Sequence, residues 1–125
     1  MMTEEEKGRY AYEGLDRLMH EKARLSIMIT LYTRREGCVF NEIKKMCNLT
    51  DGNLSRHITI LKEAGLLNVI KGYENNKPKT FCELTEMGRE KFREYLEQLE
   101  QVVKDAEGEK KTSDNLIDTK RYSPA

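Results

Sequence analysis

The stretch LTDGNLSRHITILKEAGLL, residues 49–67, restricts the fold of this chain more than any other segment. Thr50 can accept a hydrogen bond from a free backbone N–H of the next turn, and Asp51 places negative charge at the positive end of a helix dipole. Gly65 can end the same helix, because glycine readily takes the left-handed cap conformation. The pattern therefore predicts one helix that begins and ends at these caps.

The two faces of this predicted helix differ in character. An advance of about 100° per residue places Leu54, Ile58 and Leu61 on one side, which predicts the face that packs on the core. The opposite side consists of Gly52, Arg56, Thr59 and Glu63, flanked by Asn53 and Ser55. The first two turns thus present a shallow polar surface with one long cation at its middle.

A second helix is predicted shortly before this one. Apolar positions between Phe40 and Cys47 give one compact helix face, and a turn of about four residues separates the two helices, which is the spacing of a helix-turn-helix. Further upstream, apolar residues from Leu15 to Tyr32 repeat at helical spacing. They predict two helices, or one bent helix, ending near Arg35.

A hairpin is predicted after the glycine. Residues 67–73 and 79–84 have the character of strands, and ENNKP joins them, since paired asparagines tolerate positive φ and proline suits a turn or a sheet edge. Lys71, Lys77 and Lys79 lie along the arms and tip of this hairpin. These lysines could reach phosphates, although lysine also protects sheet edges against aggregation.

A long helix with an apolar stripe is predicted from about Thr85 to Asp105. The stripe consists of Phe92, Tyr95, Leu96, Leu99, Val102 and Val103. One domain of this size has little core left to cover such a helix, so a second copy of the chain could cover it. The alternative is that the stripe packs against Leu15, Leu18 and Leu25 of its own chain.

The predicted elements form one mainly α domain with a small β-hairpin, of the α+β class, over residues 10–105. Residues 1–9 are polar and are expected to be flexible. Residues 106–125 mix charge with small polar residues and are expected to form a disordered tail. The formal net charge of zero hides an asymmetry, because residues 40–80 hold seven basic and four acidic residues, whereas residues 83–109 hold four and nine.

The polar face of the predicted helix suits the major groove of DNA, which admits one α-helix. Arg56 has the forked donors that fit guanine O6 and N7, and Asn53 has the paired donor and acceptor that fit adenine. Ser55, His57 and Thr59 are better suited to phosphate or water-mediated contacts. The alternative is a helix whose polar first turn is simply capped and solvated.

The segment LTDGNLSRHITILKEAGLL followed by VIKGYENNKPKTFCELTEMGREKF resembles the winged-helix transcriptional regulators related to the MarR and ArsR families, over about Leu15 to Val103. The resemblance implies a winged helix-turn-helix with a long carboxy-terminal dimerisation helix, a homodimer, and binding to double-stranded operator DNA. It implies a recognition helix over 50–64 and a wing over 67–84. By resemblance, the base-facing side of the recognition helix consists of Gly52, Asn53, Ser55, Arg56 and Thr59, and the wing carries Lys71, Lys77 and Lys79. Together with Thr50 and His57, these are the predicted DNA-binding residues.

Neither a metal nor another cofactor is expected. Metal-sensing members of the ArsR group carry a Cys-x-Cys pair before the recognition helix or ligand sets on the last helix, and here Cys47 stands alone. Cys38 and Cys82 are expected to be core thiols on neighbouring strands, which leaves any redox role open. MarR-like proteins often bind small aromatic ligands at the dimer junction. The aromatic residues that could line such an effector cleft are Tyr10, Tyr12, Phe92 and Tyr95, although an aromatic stripe is also typical of a core.

Other classes of function have less support in the sequence. No Ser/His/Asp or Cys/His arrangement and no glycine-rich phosphate loop can be assembled, so no enzyme is expected. The absence of a long apolar run, and three cysteines without CxxC spacing, predict a cytoplasmic protein with reduced thiols. The alternative that remains open is a winged-helix module that binds another protein without specific DNA binding, which zero net charge favours and Arg56 with the wing lysines opposes.

Overall fold

The computed structural model describes residues 1–116 of the chain. Within them the elements are α1 (Lys22–Thr33), β1 (Cys38–Val39), α2 (Phe40–Cys47), α3 (Asp51–Glu63), β2 (Leu67–Glu74), β3 (Lys77–Leu84) and α4 (Glu86–Leu116). The three strands form one antiparallel sheet in the order β1-β3-β2. The predicted α+β fold with a small hairpin and a long last helix is confirmed. Within residues 1–116, no helix is both long enough and apolar enough to cross a lipid bilayer.

The first helix is shorter than the periodicity predicts. Residues 13–20 form bends and turns, and α1 begins only after Glu21, whose backbone is extended and whose carboxylate accepts a hydrogen bond from Arg24 N–H at 3.0 Å. Leu15 and Leu18 still pack against the core from those turns. Their apolar spacing therefore arises because these side chains are buried, although the backbone there is not helical.

The last helix is longer than predicted. α4 continues through Leu116, so residues 106–116 are helical and do not belong to a disordered tail. The run after Asp105 begins AEGEKK, and its alanine, two glutamates and two lysines are strong helix formers. Residues 117–125 of the predicted tail lie outside the described residues, and residues 1–10 are exposed.

The core forms where α1, α3, α4 and the inner side of the sheet meet. Leu54, Ile58 and Leu61 of α3 are buried, as predicted, together with Ile27, Met28 and Leu31 of α1. Cys38 and Cys82 are opposite each other on β1 and β3, and both are buried. The polar side of α3 is therefore directed away from the core.

Thr85 joins the end of α3 to the start of α4. Its hydroxyl donates to the Gly65 carbonyl at 2.7 Å and accepts from Gly88 N–H at 2.8 Å. Its own N–H donates to the Leu66 carbonyl at 3.0 Å. Gly65 has φ +81°, which glycine adopts without strain. The Thr85 hydroxyl and N–H thus hold the two helices together, and no side chain lies between them at Gly88.

We predict that Gly88→Ala destabilises the fold, because the added methyl group would overlap the carbonyl oxygen of Leu66. Such overpacking costs about 1 to 3 kcal/mol. Gly108→Ala is the matched control, since a Cβ added there meets no atom within 4 Å and should raise helix stability by up to about 1 kcal/mol. Urea unfolding of both variants measures the difference. Equal stability of the two variants would contradict the close packing of α4 on Leu66.

Candidate nucleic-acid interface

α3 presents the predicted polar residues on its outer side. The Thr50 hydroxyl accepts a hydrogen bond from Asn53 N–H at 3.2 Å, so the predicted cap is formed. The residues exposed on the first two turns and just beyond are Asp51, which pairs with Lys44, and the predicted Gly52, Asn53, Ser55, Arg56 and Thr59. The two turns therefore offer amide, hydroxyl and guanidinium groups to an external partner.

Gly52 is a glycine that no packing contact in the described part of the chain requires. It is exposed in the first turn of α3, and a Cβ built there meets no atom within 4 Å. Glycine in a helix costs up to about 1 kcal/mol relative to alanine, and no packing within residues 1–116 requires it. Its missing side chain instead allows a partner to approach the helix backbone closely.

The wing is a two-residue hairpin whose lysines lie on both faces. Asn75 and Asn76 have φ of 52° and 63°, as a tight hairpin turn requires. In the register that this turn sets, Lys71 lies opposite Thr80, whereas Lys77 lies opposite Glu74 and Lys79 opposite Gly72. Because successive residues alternate between faces, Lys71 is on one face and Lys77 with Lys79 on the other.

Tyr73 lies in the predicted wing but was not among the predicted DNA-binding residues. It lies on the same face as Lys71, next to the turn, and its side chain is 81% exposed. The sequence did contain a signal for this residue, because Tyr73 is an aromatic residue within a polar run beside the turn. Its ring and hydroxyl extend the surface that the wing offers to a partner.

A groove separates the wing from α3. It has a volume of about 310 Å³ and is lined by Val39, Phe40, Asn41, Ser55, Pro78, Lys79 and Thr80. Lys79 and Ser55, which the sequence assigned to two separate segments, thus meet in one groove. The Lys79 ammonium is also 3.9 Å from the Glu74 carboxylate, which offsets part of its charge.

His57, predicted as a DNA-contacting residue, is 4% exposed and lies behind Arg56. Its Nε2 is 3.3 Å from Arg56 Nη2, and its Nδ1 is 3.3 Å from Arg24 Nη1. The prediction of a direct contact is corrected, because the ring faces the protein. Position 57 is three residues after Leu54 and four before Leu61, and this core spacing was the signal for burial.

Two residues of the predicted dimer stripe belong to the core of their own chain. Phe92 and Tyr95 are fully buried. Neither a partner chain nor an effector can therefore contact them in this structure. Leu96 and Leu99 pack partly against the core, as do Leu15, Leu18 and Leu25, so the alternative of packing within the chain holds for this half of the stripe. Val102 is partly exposed and Val103 is 55% exposed.

A shallow cleft lies beside the exposed end of this stripe. Tyr10, Tyr12, Val102, Asp105 and Ala106 line it, and its volume is about 380 Å³. The Tyr12 hydroxyl donates to Asp105 Oδ2 at 2.6 Å, and this hydrogen bond is the main cause that raises the pKa of Tyr12 to about 12. Tyr10 and Tyr12 therefore line a cleft as predicted, without the other two aromatic residues.

The cysteines are protonated thiols at neutral pH. Burial raises the pKa of Cys82 to about 11, and it also raises the pKa values of Cys38 and Cys47. No three His, Cys, Asp or Glu side chains within residues 1–116 form a group that could hold a metal ion.

Comparison with known proteins identifies relatives along most of the chain. A family model described as a winged helix DNA-binding domain matches residues 23–103. An uncharacterized protein of Methanocaldococcus jannaschii is 34% identical over 91 residues, which cover 73% of this chain and 98% of that protein.

Solved structures give the same result. The transcriptional regulator homologue protein from Pyrococcus horikoshii OT3 is 33% identical, with a TM-score of 0.70 over 78% of this chain and 96% of that one. A MarR-family transcriptional regulator from Silicibacter pomeroyi shares the fold at 16% identity, with a TM-score of 0.54 over 90% of this chain and 86% of that one. The resemblance to winged-helix regulators predicted from the sequence is confirmed.

We predict that acid destabilises the fold through His57. Burial is the main cause that lowers the pKa of His57 from its usual 6.5. The unfolded chain then binds a proton near that usual value while the folded chain does not, so stability falls as the pH drops below about 6.5. Thermal unfolding of the wild type and of His57→Gln between about pH 7.5 and 5.5 should show a steeper loss for the wild type. An equal loss of stability in the wild type and in His57→Gln would contradict a role of His57 in the acid sensitivity.

Proposed function

Because the chain belongs to the winged helix DNA-binding domain family, we propose that it regulates transcription as a homodimer that binds specific double-stranded DNA. The family and the fold point to a transcription regulator and not to an enzyme. The observation that carries the proposal is the exposure of Gly52, Asn53, Ser55, Arg56 and Thr59 on α3, above a buried apolar face. α3 would lie in the major groove and the wing on the backbone or the minor groove.

The residue chemistry divides the contacts into two kinds. Asn53 and Arg56 would read base edges, since each can make a bidentate pair worth about 1 to 3 kcal/mol of discrimination. Ser55, Thr59 and the wing lysines would contact phosphates, which position the protein without reading sequence. Thr50 remains the helix cap, and His57 acts from behind the surface.

The proposed dimer uses the exposed part of α4. This helix has 31 residues and extends about 46 Å at 1.5 Å per residue, well beyond the core. Leu96, Leu99, Val102 and Val103 form the remaining stripe, without Phe92 and Tyr95. Pairing two such helices about a two-fold axis would place the α3 helices roughly 34 Å apart, to match successive major grooves. An aromatic effector would enter the cleft at Tyr10 and Tyr12, beside this seam.

Selection from a random duplex library with purified protein, at moderate salt, tests the function. The expected result is enrichment of a palindrome whose half-sites lie about one helical turn apart. Binding that stays weak and unselective as the salt is lowered would overturn the proposal. It would favour a winged-helix module that binds another protein.

We predict that Arg56→Ala weakens binding to the selected duplex by about 1 to 3 kcal/mol and relaxes the preference at one base position. Competition binding against duplexes changed at single positions measures this. Arg93→Ala is the matched control, because Arg93 is also an exposed arginine but lies on α4, where it pairs with Glu90 and Glu97. Equal affinity of the wild type and the Arg56 variant would refute the assignment.

We predict that Lys77→Ala weakens binding to all duplexes by a similar factor and lowers the slope of log K against log salt by about 1. Lys71→Ala tests the other face of the wing in the same way. A reduced slope for only one of them would show which face meets the phosphates. An unchanged slope for both would count against a phosphate-binding wing.

We predict that Val103→Lys yields monomers that bind the selected duplex poorly, because it places a charge in the proposed seam. Val103 is 55% exposed, so the change should leave the core intact, whereas Leu99→Lys should give monomers and also lower stability. Glu94→Lys, exposed on the opposite side of α4, is the control. Sedimentation measures the state of each variant. A Val103→Lys variant that remains dimeric would contradict the proposed dimer interface.

A further inference from the structure

Arg56, the arginine proposed to read a base, contacts the buried imidazole ring of His57. Arg56 is exposed, yet its Nη2 lies 3.3 Å from Nε2 of the adjacent His57. The His57 side chain is 5% exposed, so packing fixes the ring while the guanidinium remains at the surface. An exposed arginine normally samples many rotamers, and a fixed acceptor beside it restricts that freedom.

The ring is fixed in turn by residues at the start of α1. Its Nδ1 is 3.3 Å from Arg24 Nη1 and 3.8 Å from Glu21 Oε2. Arg24 is itself held, since its Nε donates to the Leu18 carbonyl at 2.5 Å and its backbone N–H donates to Glu21 Oε2 at 3.0 Å. A continuous set of polar contacts therefore runs from the turn before α1 to the outer face of α3.

The chemistry of the groups decides which contact is a hydrogen bond. Arginine stays protonated and only donates, and a neutral imidazole offers one lone pair. The charged groups that act on the ring are Glu21 and Arg24 of the α1 segment and Arg56 of α3. Arg24 and Arg56 therefore cannot both donate to the ring. A proton on Nδ1 lies beside Arg24 Nη1, but the Glu21 carboxylate is 3.8 Å from the same nitrogen and 3.9 Å from Arg24 Nη1, so it offsets the Arg24 charge, and Nε2 is left to accept from Arg56. The opposite tautomer would let Nδ1 accept from Arg24, but it would point an N–H at the Arg56 guanidinium, on the side of the ring away from Glu21.

We propose that His57 is a positioning residue for Arg56. The Nε2 of His57 accepts a hydrogen bond from Arg56 Nη2 and holds the guanidinium in the orientation that reads a base, while burial and the Glu21 carboxylate beside Nδ1 hold the ring. The inference rests on the proposed function, because it assigns Arg56 to a base. Arg56 has five N–H donors, so one bond to His57 leaves enough for a bidentate pair. Pre-ordering the side chain lowers the entropy cost of that pair.

A double-mutant cycle tests the positioning role. His57→Leu removes the acceptor, and His57→Gln keeps an amide oxygen near the position of Nε2. Discrimination is measured as the ratio of affinities for the selected duplex and for the duplex changed at the base pair that Arg56→Ala no longer distinguishes. We expect His57→Leu to lower this ratio at least threefold and His57→Gln to restore it. In the Arg56→Ala background, His57→Leu should leave the ratio unchanged.

A merely structural role predicts a different result. His57→Leu would then weaken both duplexes by the same factor, with or without Arg56, and the glutamine variant would not restore discrimination. That outcome overturns the proposal. Circular dichroism and thermal unfolding confirm that each variant is folded before binding is compared.

A second measurement needs no variant of His57. Nitrogen-15 NMR of the wild-type imidazole reports which ring nitrogen carries the proton. We expect the proton on Nδ1, with an Nε2 signal that moves in Arg56→Ala and does not move in Arg93→Ala. A proton on Nε2 would overturn the proposal. This readout holds even if no duplex is selected, so failure of the contact and failure of the proposed function are distinguished.

Discussion

The hydrogen bonds of Thr85 are the constraint on which the rest of the structure depends. They place the carboxy-terminal end of α3 against the amino-terminal end of α4, with the hairpin leaving from the same junction. The Thr85 hydroxyl makes two of them, its N–H makes the third, and the absence of a side chain at Gly88 allows the close approach. If α4 pairs two chains, this junction fixes how each α3 is oriented about the two-fold axis. The distance between the two recognition helices of the dimer would then be determined by the α3–α4 junction in each chain.

Elements with strong local signals were predictable from the sequence. The cap at Thr50, the left-handed Gly65 and the paired asparagines of the wing turn each act within a few residues, so the sequence displays them directly. The start of α1 and the end of α4 lack such signals. Leu15 and Leu18 repeat at helical spacing but are buried from turns, and a segment rich in glutamate and lysine is compatible with a solvated helix as well as with a tail.

The exposed polar side of α3 was predictable from the sequence, whereas the burial of His57, Phe92 and Tyr95 was not, for one physical reason. Periodicity shows which side of a helix is apolar but not which distant segment covers it. His57 is covered by Arg24, which is 33 positions away in the sequence, and the burial of Phe92 depends on packing from α1. The opposite faces of the wing lysines follow from alternation once the turn is fixed at Asn75 and Asn76. Assigning the lysines to faces requires the register of the hairpin, which the positions of the basic residues in the sequence do not give.

The balance of charge at the interface also bears on how such a protein can bind DNA. Lys44 pairs with Asp51 at 2.9 Å and Lys79 approaches Glu74, so some of the basic residues near α3 and the wing are partly neutralised within the chain. Each phosphate contact contributes a slope of about −0.9, and a few such contacts give only weak non-specific binding. If the chain binds DNA as proposed, base readout by α3 would supply a large share of the affinity of one protomer. A second protomer on the same duplex would double that readout, so dimerisation through α4 would strengthen binding as well as supply symmetry.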